Sequence, residues 1–241
     1  LPEQDPADVA WKLVASNLSD LAAKGAEPLG VLLGYQFGAD DVRFLTGLEQ
    51  VLGHYGVALL GGDTIGSSGA QVLGLTALGR ATHRPVPARS GAQVGDALWI
   101  TGPVGAAMLG YEALRDGSGA DSTAFRRPQA LLAEGRALAP VVTAMMDVSD
   151  GLLLDASRMA RAAGVSFAIE SAAVPIAGPE ARRADALRWG EDYQLLFTLP
   201  AGTEPPIRAF RIGDALALGE AAIVLDGFAL TETEGLGFEH R

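Results

Sequence analysis

Residues 144–152, Ala-Met-Met-Asp-Val-Ser-Asp-Gly-Leu, constrain this chain more than any other stretch. An apolar run of strand length ends abruptly in two aspartates that flank a serine. A glycine follows, and then Leu152, Ala156, Met159 and Ala163 recur at helical spacing. Carboxylates where a strand hands over to a helix sit at the open end of an α/β layer, where ligands bind. The same residues also suit an ordinary helix start, with Ser149 as cap and Asp150 complementing the dipole. Taken alone the trio leaves both readings open. Other aspartates in the same kind of position favour the first.

Composition narrows the chemistry. The chain has 241 residues, 29 of them acidic against 18 basic, and a net charge of −11. No basic patch appears in the sequence, which argues against a nucleic-acid partner. Lys12 and Lys24 are the only lysines, so phosphate would be neutralised by arginine, backbone N–H groups or metal ions. The absence of cysteine removes disulfides, thiolate metal sites and a cysteine nucleophile. No apolar run approaches the roughly 20 residues of a membrane span, so no membrane partner and a cytoplasmic location are expected. The length allows one large domain or two ordinary ones. The proline-rich joint His83-Arg84-Pro85-Val86-Pro87 predicts a division into 1–82 and 83–241.

The first helix starts at Asp5-Pro6-Ala7-Asp8, ahead of an apolar-periodic run. Ala10, Val14, Leu18 and Leu21 form its core stripe, and Gly25 suits its C-terminal end. Asn17 and Asp20, three apart, share one flank; by themselves they read as a solvated polar face. Residues 29–33 read as a strand, and 40–54 as a helix with Val42, Leu45, Leu48 and Leu52 in its stripe. A buried strand over 57–60 would end in Gly61-Gly62-Asp63-Thr64, and residues 66–69 would turn 72–79 back into a hairpin. The two glycines would let the backbone approach a ligand closely, although a plain turn holding an aspartate fits equally.

Beyond the joint, a strand is expected over 97–101. Gly102-Pro103-Val104-Gly105 opens a helix to about Leu114, and a Gly/Ser/Asp-rich loop occupies 115–124. Another helix follows Arg126-Arg127-Pro128 and leads to the strand at 144. Helix 151–163 precedes a strand over 165–169 and a helix near 180–187. Trp189-Gly190-Glu191-Asp192-Tyr193 then turns into a strand over 194–198. Short strands near 208–212 and 223–225 end the pattern.

Asp20, Asp63, Asp147 and Asp150 each stand beside a glycine, a turn or a helix end. Hard oxygen ligands of this kind suit Mg²⁺, which takes one or two carboxylates plus waters and substrate phosphates. No GxxxxGK[ST] stretch exists, so this is not a P-loop enzyme. With so little lysine, a metal ion would carry the electrostatics of phosphoryl transfer. The helix starts at 102–105 and 149–151 could add backbone donors for phosphate oxygens. Residues alone lead as far as Mg²⁺-dependent phosphate chemistry.

Five blocks take the identification further. Residues 5–8 with Asn17-Leu18-Ser19-Asp20-Leu21-Ala22-Ala23-Lys24-Gly25-Ala26-Glu27-Pro28 resemble the start of thiamine-monophosphate kinases. Gly61-Gly62-Asp63-Thr64, Arg89-Ser90-Gly91-Ala92 with Gly95-Asp96, Asp147-Val148-Ser149-Asp150-Gly151-Leu152, and Gly190-Glu191-Asp192-Tyr193-Gln194-Leu195-Leu196-Phe197-Thr198 resemble later blocks, in the same order. The resemblance implies ATP-dependent phosphorylation of thiamine monophosphate to thiamine diphosphate. It implies an α/β fold with mixed sheets, the two-domain architecture of aminoimidazole ribonucleotide synthetases, dimerising through the amino-terminal domain. Carried over by position, Asp20, Asp63, Asp147 and Asp150 match Mg²⁺ ligands, and Gly62, Arg89 and Ser149 match ATP-binding positions. Glu191 matches a residue contacting the thiamine, through its aminopyrimidine or its cation. Phe238 matches an aromatic that packs on the thiamine rings, a cation–π surface for the thiazolium; as a lone residue it reads equally as an apolar tail anchor.

The resemblance has departures. The family's Gly-Asp-Asp block and an acidic strand ending in His-Phe would precede Leu1, so the sequence is expected to be part of a longer protein. Lys24 replaces a usual methionine and Trp189 a usual glycine. Aminoimidazole ribonucleotide synthetases and selenophosphate synthetases share the acidic blocks and are the alternatives within the superfamily. A hydrogenase-maturation enzyme would end in cysteine. A non-catalytic nucleotide- or thiamine-phosphate-binding protein is the alternative of a different class.

Overall fold

A computed structural model describes residues 4–230 and 235–238. The first half runs α1 (Pro6–Ala22), β1 (Ala26–Gln36), α2 (Asp41–Tyr55), β2 (Leu59–Ile65) and β3 (Leu73–Ala81). Asp5 starts α1 by accepting the Ala7 N–H at 2.9 Å, while Pro6 occupies the first turn, where a missing N–H goes unnoticed. Asp8, only 2% exposed, takes Arg126 and Arg127 on its two oxygens, each at 2.5 Å. Such a buried carboxylate needs both partners, because an uncompensated charge there would be strongly destabilising.

The second half runs β4 (Ala97–Ile100), α3 (Ala106–Arg115), α4 (Thr123–Arg126), α5 (Leu132–Leu138), β5 (Ala144–Asp147), α6 (Leu152–Ala163) and β6 (Val165–Ile169). It continues through α7 (Arg183–Ala186), β7 (Leu195–Leu199), β8 (Phe210–Ala217), β9 (Ile223–Leu225) and β10 (Phe228–Leu230). Two sheets result, one of order β2-β1-β3 and one of order β10-β9-β6-β8-β4-β7-β5. Both mix parallel and antiparallel pairs, as the mixed α/β class requires.

Period-two alternation divides the core. Leu98, Ile100, Ala144, Met146 and Leu196 pack with Met108 of α3 and with Leu152, Ala156 and Met159 of α6. Trp99, Met145, Leu195 and Phe197 face the other way and join α1, α2, α5 and the inner face of β1. Helices α1, α2 and α5 thus fill the space between the sheets. Strands β4, β5 and β7 are covered on both faces, which is why β5 and β7 read as nearly continuous apolar runs. Alternation also decides where Asp147 points: two residues after Met145, it falls on the face toward α1.

Four expectations change. Residues 57–60 are not a buried strand; β2 begins at Leu59, is exposed along its length, and includes the Gly-Gly-Asp-Thr block. No hairpin joins β2 to β3, because β1 lies between them, parallel to one and antiparallel to the other. Helix α2 buries Phe44, Gly47, Leu48 and Val51, leaving Val42 76% and Leu45 53% exposed. Phe44 and Val51 shift the apolar stripe from the expected one. The segment near 180–187 is a 3₁₀ turn (Glu180–Arg182) followed by the short α7.

Candidate active site

The strand-to-helix junction β5–α6 borders a cavity of about 830 Å³. Its acidic side is Asp20, Asp147, Ser149 and Asp150; its other wall includes Glu191, Tyr111, Phe125, Trp189 and Phe238. Of the expected residues, these six (Asp20, Asp147, Ser149, Asp150, Glu191, Phe238) meet in one place. Asp63, Gly62 and Arg89 do not line the cavity. Asp63 sits on the exposed β2 and accepts the neighbouring Thr64 N–H at 2.9 Å. Gly62 has a packing reason of its own: a Cβ there would lie 1.9 Å from the Leu33 carbonyl oxygen. Arg89 lies near enough to Asp147 for its charge to favour the carboxylate.

The three cavity aspartates differ in their surroundings. Asp147 is buried and receives the Ser19 hydroxyl at 2.7 Å. Burial raises its pKa above the ordinary carboxylate value, the Ser19 bond opposes this, and neighbouring Asp20 adds to it. Asp20, on α1, is exposed to the cavity. Asp150 is bound by the Arg158 guanidinium, which also holds Asp155 at 2.8 Å. Among the described residues, no group of three or more His, Cys, Asp or Glu is placed to hold a metal ion. Asp20 and Asp147 nevertheless fit Mg²⁺ in donor type, with a buried carboxylate whose charge lacks a full counterpart. They suit a cation that keeps waters and phosphate oxygens in its shell, not a closed protein cage.

Both helix starts proposed as phosphate cradles are already occupied. The N–H groups of Ser149 and Asp150 donate to Asp155, each at 2.9 Å, and Ser149 does not cap α6, which begins after Gly151. Burial pushes Asp155 up to about 6 in spite of these bonds and Arg158. At α3 the donors are Gly105 and Ala107, at 2.6 and 3.0 Å from Asp192. An internal carboxylate at each helix start satisfies the free donors, so they are not spare for a ligand.

The Gly-Glu-Asp-Tyr turn shows why its residue types are needed. A Cβ on Gly190 would fall 2.3 Å from the Ser149 carbonyl oxygen. Glu191 and Tyr193 both take positive φ, 66° and 51°, which side-chain-bearing residues seldom do. Their N–H groups donate to Ser149 and Val148 at 2.8 and 2.9 Å and hold the turn against the β5–α6 junction. Glu191 then reaches Lys12 of α1 at 2.8 Å. The tail returns to the same place: Phe238 N–H donates to the Asp150 carbonyl at 2.9 Å, and the ring is 59% exposed. Glu239 and His240 lie outside the described residues.

Sequence patterns missed part of this wall. Tyr111 lies 5.2 Å from Trp189 and 5.4 Å from Phe125, ring centre to ring centre, making a continuous aromatic surface. Nothing in their spacing links residues 111, 125 and 189. Arg158 was closer to legible, since it stands three residues after Asp155 on α6.

Comparisons with known proteins bear on the fold and the family. Residues 2–81 match the family model of the AIR synthase related protein N-terminal domain, and residues 93–211 match that of its C-terminal domain. Thiamine-monophosphate kinase of Escherichia coli K12 is 35% identical over 222 residues, covering 83% of this chain and 67% of that protein. The crystal structure of thiamine-monophosphate kinase from Stenotrophomonas maltophilia K279a superposes with a TM-score of 0.84 at 30% identity, covering 95% of this chain and 81% of that one. The structure of AaThiL complexed with AMPPCP and TMP gives a TM-score of 0.84 at 26% identity, with 95% and 80% covered. With its sequence blocks, its two mixed sheets and these relatives all in accord, the chain belongs to the thiamine-monophosphate kinase family.

Proposed function

We propose that this chain catalyses ATP-dependent phosphorylation of thiamine monophosphate to thiamine diphosphate. The observation that carries this is a cavity that joins an acidic side to an aromatic and Glu191 wall. Phosphates and their cation belong at Asp20, Asp147 and Asp150; an aromatic heterocycle belongs on Tyr111, Trp189 and Phe238. A cationic thiazolium is held well by aromatic faces. Asp20 and Asp147 would hold Mg²⁺, which when bound neutralises phosphate charge during transfer. Asp63, Arg89 and Gly62 would meet the nucleotide from outside the cavity wall, and Ser149 would contact it through its hydroxyl. A requirement for ATP would suit a cytoplasmic location.

Division into 1–82 and 83–241 and a homodimer through the first domain complete the proposal. One face of the first sheet packs Val31, Leu33 and Tyr35 into the core, while Leu32, Leu60 and Leu78 are exposed on the other. A contiguous apolar face of that kind marks an interaction surface.

The direct test is release of ADP from ATP and Mg²⁺ upon addition of thiamine monophosphate, with thiamine diphosphate identified by mass. Binding of both substrates without ADP release would support a non-catalytic binding protein instead. Glu191→Gln should raise KM for thiamine monophosphate while leaving KM for ATP nearly unchanged. Equal damage to both would remove Glu191 from substrate recognition.

A further inference from the structure

Lys12 has no part in the chemistry described so far, yet it is one of the two lysines of the chain and is nearly buried, its side chain 18% exposed. Its Nζ lies 2.8 Å from Glu191 Oε2 and 3.5 Å from the centre of the Phe125 ring. Glu191 and Phe125 both line the cavity; Lys12 does not. The ammonium therefore holds the carboxylate through Oε2 without itself lining the cavity. Oε1 of Glu191 has no hydrogen-bond partner among the described residues. The backbone beneath is held at a positive φ of 66° by the bond from Glu191 N–H to Ser149. Strain of this kind persists where the surroundings fix a functional geometry.

We infer that Lys12 is a positioning residue for substrate recognition: it fixes Glu191 through Oε2, so that Oε1 faces the cavity as an acceptor for the exocyclic amine of an aminopyrimidine. This rests on the proposed thiamine-monophosphate kinase activity and goes one step further. Because Lys12 already balances the carboxylate charge, Glu191 is not the counter-ion of the thiazolium. That cation is left to the aromatic surface. The exposed edge of the pair reads a neutral N–H donor, which a rigid acceptor distinguishes sharply from a carbonyl.

The experiment uses the full chain with Mg²⁺–ATP and two acceptors, thiamine monophosphate and its 4-oxo analogue, in which a carbonyl replaces the exocyclic amine. Lys12→Met should raise KM for thiamine monophosphate roughly tenfold, as expected for losing a charge-assisted, oriented hydrogen bond. Its kcat and its KM for ATP should stay within about twofold, since neither depends on that bond. The preference for the amino over the oxo compound should shrink, and Lys12→Arg should restore much of it. Calorimetric titration with thiamine monophosphate and without ATP should show the same loss. If Lys12→Met does not fold, Lys12→Gln provides the same comparison. Tighter binding of thiamine monophosphate by the neutral variant would overturn the inference, because Lys12 would then compete with the substrate cation. Unchanged KM and unchanged discrimination would overturn it as well, as would a uniform loss of all parameters in step with melting temperature. A wild-type chain that neither binds nor phosphorylates thiamine monophosphate would overturn the activity itself, which is a separate failure.

Discussion

Asp147 and Asp150 stand three residues apart and meet opposite conditions. Asp147 is buried, with its pKa raised by burial, so its charged form is disfavoured by the fold. Asp150 has an arginine on it. Asp147→Asn should therefore stabilise the protein when Mg²⁺ is absent, because it removes a charge that folding has to desolvate. Asp150→Asn should instead lower stability by about 0.5–1 kcal/mol, since a half-exposed ion pair is worth little more. If both contribute to handling of the phosphates, either variant should lose orders of magnitude in kcat. Melting curves without metal and turnover with saturating Mg²⁺, on both variants, check each part. Near-normal turnover in Asp147→Asn would deny it a place in the chemistry.

At the scale of elements, the start of α3 depends on a residue more than eighty positions later. Asp192 accepts from Gly105 and Ala107, and burial pushes its pKa from 3.8 up to about 6. The fold thus favours the protonated carboxyl relative to the unfolded chain. The sign follows from proton linkage: the native state binds more protons between about pH 4 and pH 6, so this contribution to stability falls as pH rises through that window. The full swing is at most about 3 kcal/mol for two pKa units. Asp192→Asn removes the titration while keeping one acceptor. Denaturant unfolding of wild type and variant at pH 4.5 and 7 should show wild type losing ground to the variant as pH rises. A pH-independent difference would mean Asp192 titrates normally. Asp192→Ala should lower stability by about 1–2 kcal/mol, as loss of a helix cap does.

For the whole molecule, the question is what covers the outer face of the first sheet. Each apolar side chain there would contribute on the order of 1.5–3 kcal/mol if fully buried against a partner. Gly30, on the same face, leaves room for Leu60 to lie across β1, since a Cβ would meet its Cγ at 2.4 Å. Leu32→Glu and Leu78→Glu place charges in that face and should convert a dimer to a monomer in light scattering. The core of the second sheet should be unaffected, because neither residue touches it. A wild-type mass that stays monomeric at all concentrations would refute the dimer.

What the sequence determined by itself was local: most strand and helix positions, the apolar runs of β5 and β7, and the short blocks that carry carboxylates beside glycines. Strand β5 and helix α6 were legible because an unbroken apolar run and a 3.6-residue period depend only on neighbours. The blocks also carried the family, since order and spacing survive where overall identity is modest. Partnership across the chain was decided by tertiary structure. β1 and β2 pair in parallel rather than β2 with β3, because hydrogen-bond register depends on the crossover of α2, not on the glycines at 66–69. The α2 stripe turned because Phe44 and Val51 found the core between the sheets while Val42 and Leu45 did not. The aromatic wall and the pairing of Lys12 with Glu191 join residues far apart in number, whose meeting is set only when α1, α3, α4 and the 190–193 turn pack together. Charge supplied the least legible part. Asp155 and Asp192 stand close in sequence to the candidate site residues, yet folding commits them to backbone donors, because a buried N–H without an acceptor is costly.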